Sequence, residues 1–182
     1  MNEKKSPLIA SMNSGAITGI ILIIYALILY FIGAASSKTA GYFNILILAA
    51  CIFFSSKMYR DKEKGGIISY GQSLGFGTLV GLFASIILAF FVYIELKIID
   101  PGLIDKQMDI AREQALNRGA SEEQFEKGME MMKWMMTPTF SAIMTILFST
   151  FFSFLVSLIT SIFVRTDNNP FDSAMKDVET HE

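Results

Sequence analysis

The most regular pattern of polar side chains lies in SAIMTILFSTFFSFLVSLITS, residues 141–161, where a hydroxyl recurs at every fourth position. These residues are Ser141, Thr145, Ser149, Ser153, Ser157 and Ser161. They could line a path for a polar solute, or form a smooth ridge on which another helix packs. Because a step of four residues turns a helix by about 400°, the stripe winds around the helix. A pore lining would stay on one side, so the pattern favours a packing ridge.

A complementary set of small residues lies in ISYGQSLGFGTLVG, which contains two Gly-x-x-x-Gly pairs, namely Gly71 with Gly75 and Gly77 with Gly81. The first apolar run adds Gly15 and Gly19. Small residues let helix backbones approach closely in a membrane, and each serine can bond the carbonyl four residues before it. We therefore predict as helix-packing residues Gly71, Gly75, Gly77, Gly81, Ser149, Ser153 and Ser157. On this basis, leucine at Gly75 or Gly81 should be more damaging than any single Ser→Ala change.

Other residues that could bind a metal or take part in catalysis have simpler structural interpretations. Glu122, Glu126 and Glu130 form a carboxylate row, which could hold a divalent ion weakly but is typical of a solvated helix face. The methionines of EKGMEMMKWMM could bind Cu(I), although methionine at helical spacing usually packs. A single cysteine, Cys51, cannot form an intrachain disulfide, and one cysteine with one histidine, His181, cannot build a metal centre. Since nucleotide-binding, protease and paired-aspartate motifs are also missing, we expect no enzyme, cofactor or metal.

The elements that must position these residues are four long apolar runs. Charged residues make up 18% of the chain and concentrate between the runs, which indicates a membrane protein. A span needs about 20 apolar residues, and the runs at about 17–35, 41–56, 70–97 and 140–164 meet or approach that length. The first run is longer than the core of a signal peptide, which favours a retained span. We predict an all-α fold, a four-helix transmembrane bundle in one membrane domain of residues 1–165, and a disordered polar tail of residues 166–182.

The charged segment between spans three and four has helical patterning of its own. Two amphipathic helices, about 101–117 and 122–136, are expected to form a hairpin outside the membrane core. Their apolar faces could cover each other, the bilayer, the bundle or a second subunit, and the sequence leaves these alternatives open. Trp134 is predicted to be an interfacial anchor. Glu95, about 32 Å along the helix from Leu74, is expected at the far interface or at the mouth of a pocket.

Orientation follows the distribution of lysine and arginine in the short loops. Basic residues concentrate at the N-terminus, in residues 57–64 and after the fourth span, whereas the first loop contains only Lys38. Of the remaining basic residues, Lys97 lies at the end of the third span and the other five lie in the long, acidic segment 101–136. We therefore expect both termini in the cytoplasm.

Four spans together with the motifs SYGQSLGFG, DPGLIDKQMD and NPFD resemble an uncharacterised bacterial membrane-protein family, domain of unknown function 4199. The resemblance implies the bacterial inner membrane and brings no activity, cofactor or catalytic residue. The sequence favours a non-enzymatic association or envelope component. Its partners would be the bilayer and, through residues 101–136, a second copy or another membrane protein, with no nucleic acid. The alternative is a small-solute transporter or channel-like protein that acts as an oligomer.

Overall fold

A computed structural model describes residues 6–34, 38–132, 135 and 137–166. The described elements are helices α1 (Pro7–Phe31), α2 (Lys38–Glu63), α3 (Tyr70–Ile94), α4 (Leu103–Asn117), α5 (Glu122–Met132) and α6 (Pro138–Val164). A π-helical turn, Glu95–Ile99, extends α3. No strand occurs within these ranges, so the prediction of an all-α fold is confirmed. Trp134 and residues 167–182 of the predicted tail lie outside the described residues.

Four of these helices are long and apolar enough to cross a membrane, as the sequence predicted. The first differs from its predicted bounds, because α1 begins at Pro7 instead of residue 17. Proline at the first position and a Ser6 side chain that accepts a hydrogen bond from the Ile9 amide favour a helix start here. Ser11 and Ser14 interrupt the apolar pattern in this first part of α1, which is why the sequence predicted a later start. Both side chains are buried in the structure.

Helix α3 lies at the centre of the bundle and packs most extensively against α6 and α1. Gly77 lies against Ser157 and Gly81 lies against Ser153, so α3 and α6 run in opposite directions. Gly15 lies against Phe83 and Gly19 against Ile87, so α1 and α3 run in the same direction. Helix α2 completes the bundle with smaller contacts to each of the others.

Residues 64–69 join α2 to α3 at one end of the bundle, here called the basic-loop end. Ring stacking and hydrogen bonds hold the helices together at this end. Its core stacks the ring of Tyr59 on that of Phe76, with centroids 4.2 Å apart and planes 7° from parallel. Arg60 donates from Nη1 to the carbonyl oxygen of Val164 at 3.0 Å, where a cation complements the C-terminal dipole of α6. The Thr166 amide donates to the Ile68 carbonyl at 3.0 Å. These bonds tie the last turn of α6 to the loop.

The opposite end, here called the hairpin end, changes helix geometry where α3 leaves the bundle. The Asp100 amide donates to the Glu95 carbonyl at 2.8 Å, which closes the wider π turn. Helices α4 and α5 follow, and α5 is capped at Ser121, whose hydroxyl accepts from the Gln124 amide at 3.2 Å. The Gln124 side chain in turn accepts from the Ser121 amide at 3.0 Å, which completes a capping box.

Candidate functional site: small-residue ridges and the hairpin cleft

The contact between α3 and α6 is built from glycine on one helix and serine on the other. A Cβ atom placed on Gly77 would lie 2.5 Å from Ser157 Oγ, and one placed on Gly81 would collide with the side chain of Ser153. Ser153 and Ser157 are themselves buried. Because there is no room for a methyl group, the backbones can reach this separation only with glycine at both positions.

The serine hydroxyls of this contact do not form a continuous polar track. Ser153 Oγ donates to the Ser149 carbonyl within its own helix at 2.7 Å, as expected of a serine on a packing ridge. Ser157 Oγ has no hydrogen-bond partner among the described residues. A bond between helices joins Ser85 Oγ and Thr150 Oγ1, which are 3.2 Å apart.

Three of the predicted packing residues occupy other surroundings. A Cβ atom on Gly71 or Gly75 would meet nothing within 4 Å outside its own helix, so neither glycine forms a close helix contact among the described residues. The physical reason is helical periodicity: Gly75 and Gly77 differ by two positions, or about 200°, and therefore lie on opposite faces of α3. Ser149 lines a cavity between the helices instead of the α3 contact.

A second glycine pair holds α1 against α3. A Cβ on Gly15 would lie 2.5 Å from Phe83 Cβ and 2.8 Å from the Val80 carbonyl oxygen, and one on Gly19 would lie 3.1 Å from Ile87 Cβ. The Gly-x-x-x-Gly spacing was visible in the sequence. The partner face on α3 was not, because Phe83 and Ile87 carry no small-residue pattern.

The second candidate surface is a cleft of about 670 Å³ between the hairpin helices and the end of the bundle. Its apolar walls come from both sides and consist of Leu96, Pro101, Ile104, Met108, Met129 and Pro138. Three carboxylate residues, Asp105, Glu126 and Glu130, also line it. No described residue of α4 is fully buried, and among the described residues its apolar side chains Ile104, Met108, Ala115 and Leu116 are half-buried.

Ion pairs organise the rim of this hairpin. Arg112 donates to Glu122 from Nε at 3.0 Å, and this hydrogen bond raises the pKa of the guanidinium. Lys106 donates to Asp100 at 2.7 Å, and that hydrogen bond raises the pKa of the ammonium. Glu122 is thus engaged with α4, whereas Glu126 and Glu130 face the cleft. Within the described ranges, no three acidic, cysteine or histidine side chains come together as a metal site.

The cleft thus places apolar side chains beside the carboxylates of Asp105, Glu126 and Glu130. A family model described as "Protein of unknown function (DUF4199)" matches residues 13–166, a range that includes both glycine pairs, the hairpin and α6. The resemblance expected from the sequence motifs is therefore confirmed. No curated protein and no solved structure matches the chain.

Proposed function

The chain belongs to the DUF4199 family of proteins of unknown function, and from that premise we propose that it is a non-enzymatic membrane component that works by association. The observation that carries this proposal is the uncovered cleft at the hairpin end. Helices α4 and α5 are too short and too polar to span a bilayer, and α4 buries no described residue. Amphipathic helices persist when their apolar faces are covered, and a surface that fills the cleft would complete the partial cover that the half-buried apolar side chains of α4 have.

The cleft favours a partner over bare lipid as that covering surface. Ile104, Met108 and Met129 supply apolar area with adaptable side chains, as is common at binding surfaces. Asp105, Glu126 and Glu130 place carboxylates beside this area, where anionic lipid headgroups would be repelled. The partner is a helix or loop with apolar and basic side chains, on a second copy of this chain or on another envelope protein.

The proposed location is a bacterial cytoplasmic membrane with both termini in the cytoplasm. Four apolar helices fit a multi-pass membrane protein. Lys57, Arg60, Lys62 and Lys64 lie at the basic-loop end, which the positive-inside tendency assigns to the cytoplasm. The hairpin would then face the periplasm.

Photocrosslinking in intact membranes tests the association directly. A photoreactive amino acid placed at Met108, in the cleft, is expected to give adducts heavier than the monomer. The matched control places the same group at Glu113, an exposed position on α4 that does not line the cleft. Adducts at twice the monomer mass identify a second copy, and other masses identify a different protein.

The same adducts should disappear when the apolar wall is broken by Ile104→Glu together with Met129→Glu. Equal adducts from positions 108 and 113, or adducts that persist in the double variant, would overturn the proposal. Size-exclusion chromatography of the variants in detergent checks that the bundle itself is retained.

A further inference from the structure

A cavity at the hairpin end of the bundle contains a carboxylate that the association described above does not use. The cavity has a volume of about 280 Å³ and is bounded by residues of all four long helices. Glu95 is half-buried in its wall, beside the aromatic Phe91, and Tyr25 contributes a second aromatic wall from α1. Asn44, Thr145 and Ser149 add polar groups from α2 and α6.

Among the side chains that the structure describes, none supplies a cationic partner to the carboxylate of Glu95. Lys97, two residues away, is exposed and donates to Tyr93 Oη at 2.9 Å. Lys106 is occupied by Asp100. The described residues that line the cavity include no lysine or arginine. A carboxylate in a span is costly, and such residues usually face a cavity, pair with another charge and mark a functional site.

The position of Glu95 also makes the cavity reachable from water. It follows Tyr70 by 25 positions, or about 37 Å of helix, which places it near the edge of the hydrocarbon core. The π turn begins at this residue, and π turns occur frequently at functional sites. A charged ligand can therefore approach from the hairpin side without crossing the bilayer core.

We propose that this cavity binds a small organic cation, with the Glu95 carboxylate as its counter-ion. A bare divalent metal ion would need about six oxygen ligands, whereas the wall offers one carboxylate among mostly apolar and aromatic groups. Aromatic rings attract organic cations, and apolar walls accommodate their carbon atoms. Ligand pockets for drug-sized molecules begin at about 300 Å³, so the ligand is a compact amine or quaternary ammonium ion.

Binding is tested on the full chain in lipid nanodiscs by calorimetry and thermal unfolding. The two cationic probes are choline and ethylammonium. The neutral control is 3,3-dimethylbutan-1-ol, which has the shape of choline without its charge, and the salt control is sodium chloride at matched ionic strength. Choline or ethylammonium is expected to bind and to raise the unfolding temperature. The neutral alcohol and sodium chloride are expected to leave it unchanged.

Two kinds of variant test separately the charge of Glu95 and the free space in the cavity. Glu95→Gln should raise the dissociation constant roughly tenfold or more, because it removes the counter-ion and keeps the shape. Thr145→Leu should abolish binding by filling the cavity with the carboxylate intact, and it remains informative if Glu95→Gln does not fold. Glu113→Gln, on α4 and away from the cavity, is the matched control and should bind as the parent does.

Three results would overturn the proposal: no binding of either cation, equal binding of the neutral alcohol, or unchanged affinity in Glu95→Gln. Since these variants leave Ile104, Met108 and Met129 untouched, hairpin crosslinking should persist in all of them. Loss of crosslinking and loss of cation binding are therefore separate outcomes.

Discussion

Residues 73–85 of α3 and residues 88–95 of the same helix face the same two neighbours, α1 and α6, but pack against them differently. In the first segment Gly77 and Gly81 are in close contact with α6, and the carbonyl oxygen of Val80 lies against Gly15 of α1. In the second segment Phe91 and Glu95 line a cavity of about 280 Å³. The hydroxyl stripe of α6 passes both segments, so the stripe does not determine where the helices meet.

Along α6, the difference shows that the hydroxyl ridge packs closely against α3 where α3 presents glycine and leaves a space where α3 presents larger side chains. Opposite Ser153 and Ser157, α3 presents glycine, and the backbones approach until no methyl group would fit. Opposite Thr145 and Ser149, both α1 and α3 present larger side chains, and the helices leave a space between them. In a membrane, where lipid tails are as apolar as leucine, such packing contacts supply much of the stability of the bundle.

The largest effect is expected from Gly81→Leu, which would place a branched side chain into Ser153. Overpacking of this kind should destabilise the bundle by about 3 kcal/mol. Contrary to the expectation from the sequence, Gly75 lies on the open face of α3, so Gly75→Leu is the matched control and should unfold at or above the temperature of the parent. Thermal unfolding in detergent measures both, and similar losses at the two positions would contradict the assignment of faces.

A smaller effect is expected when the same side chain is shortened in each segment. Val80 is fully buried, whereas Val92 is half-buried and lines the cavity. Val80→Ala should cost about 1–2 kcal/mol of unfolding free energy through lost packing contacts. Val92→Ala should cost less than half of that, because its neighbours are already separated. Equal losses in chemical denaturation would show that the second segment is as well packed as the first.

A third comparison is between the Arg60 hydrogen bond at the basic-loop end and the Arg112 ion pair in the hairpin. Arg60→Ala removes the donor to the Val164 carbonyl and should destabilise the chain by about 1 kcal/mol. Arg112→Ala breaks an exposed pair with Glu122 and should leave the unfolding temperature of the bundle unchanged. Limited proteolysis should also cut after α6 more readily in Arg60→Ala, and unchanged cleavage there would contradict the fastening role.

The smallest effect is expected from removing single hydroxyls. Ser85→Ala breaks the bond to Thr150 between helices and should cost about 0.6 kcal/mol, the average for such bonds in membranes. Ser153→Ala loses only a bond within α6 and should be closer to neutral. If unfolding measurements show a larger loss of stability for Ser153→Ala than for Gly81→Leu, close packing does not determine the stability of the first segment.

The sequence by itself determined the all-α fold and the four long apolar helices. Backbone groups in lipid must bond within their own segment, so apolar runs of sufficient length are helices whatever their neighbours are. The spacing of Gly15 with Gly19, of Gly77 with Gly81 and of the serines likewise showed which residues share a helix face. The predicted functions of association and of an interfacial Trp134 remain predictions.

Only the tertiary structure decided which of those faces meets a neighbour. Gly71 with Gly75 and Gly77 with Gly81 have the same spacing, yet only the second pair contacts α6. The rotation of each helix depends on the bulk of the residues opposite, which lie far away in the chain. For the same reason Glu95, whose sequence context allows an interface or a pocket, lies in a cavity wall only because four helices diverge around it.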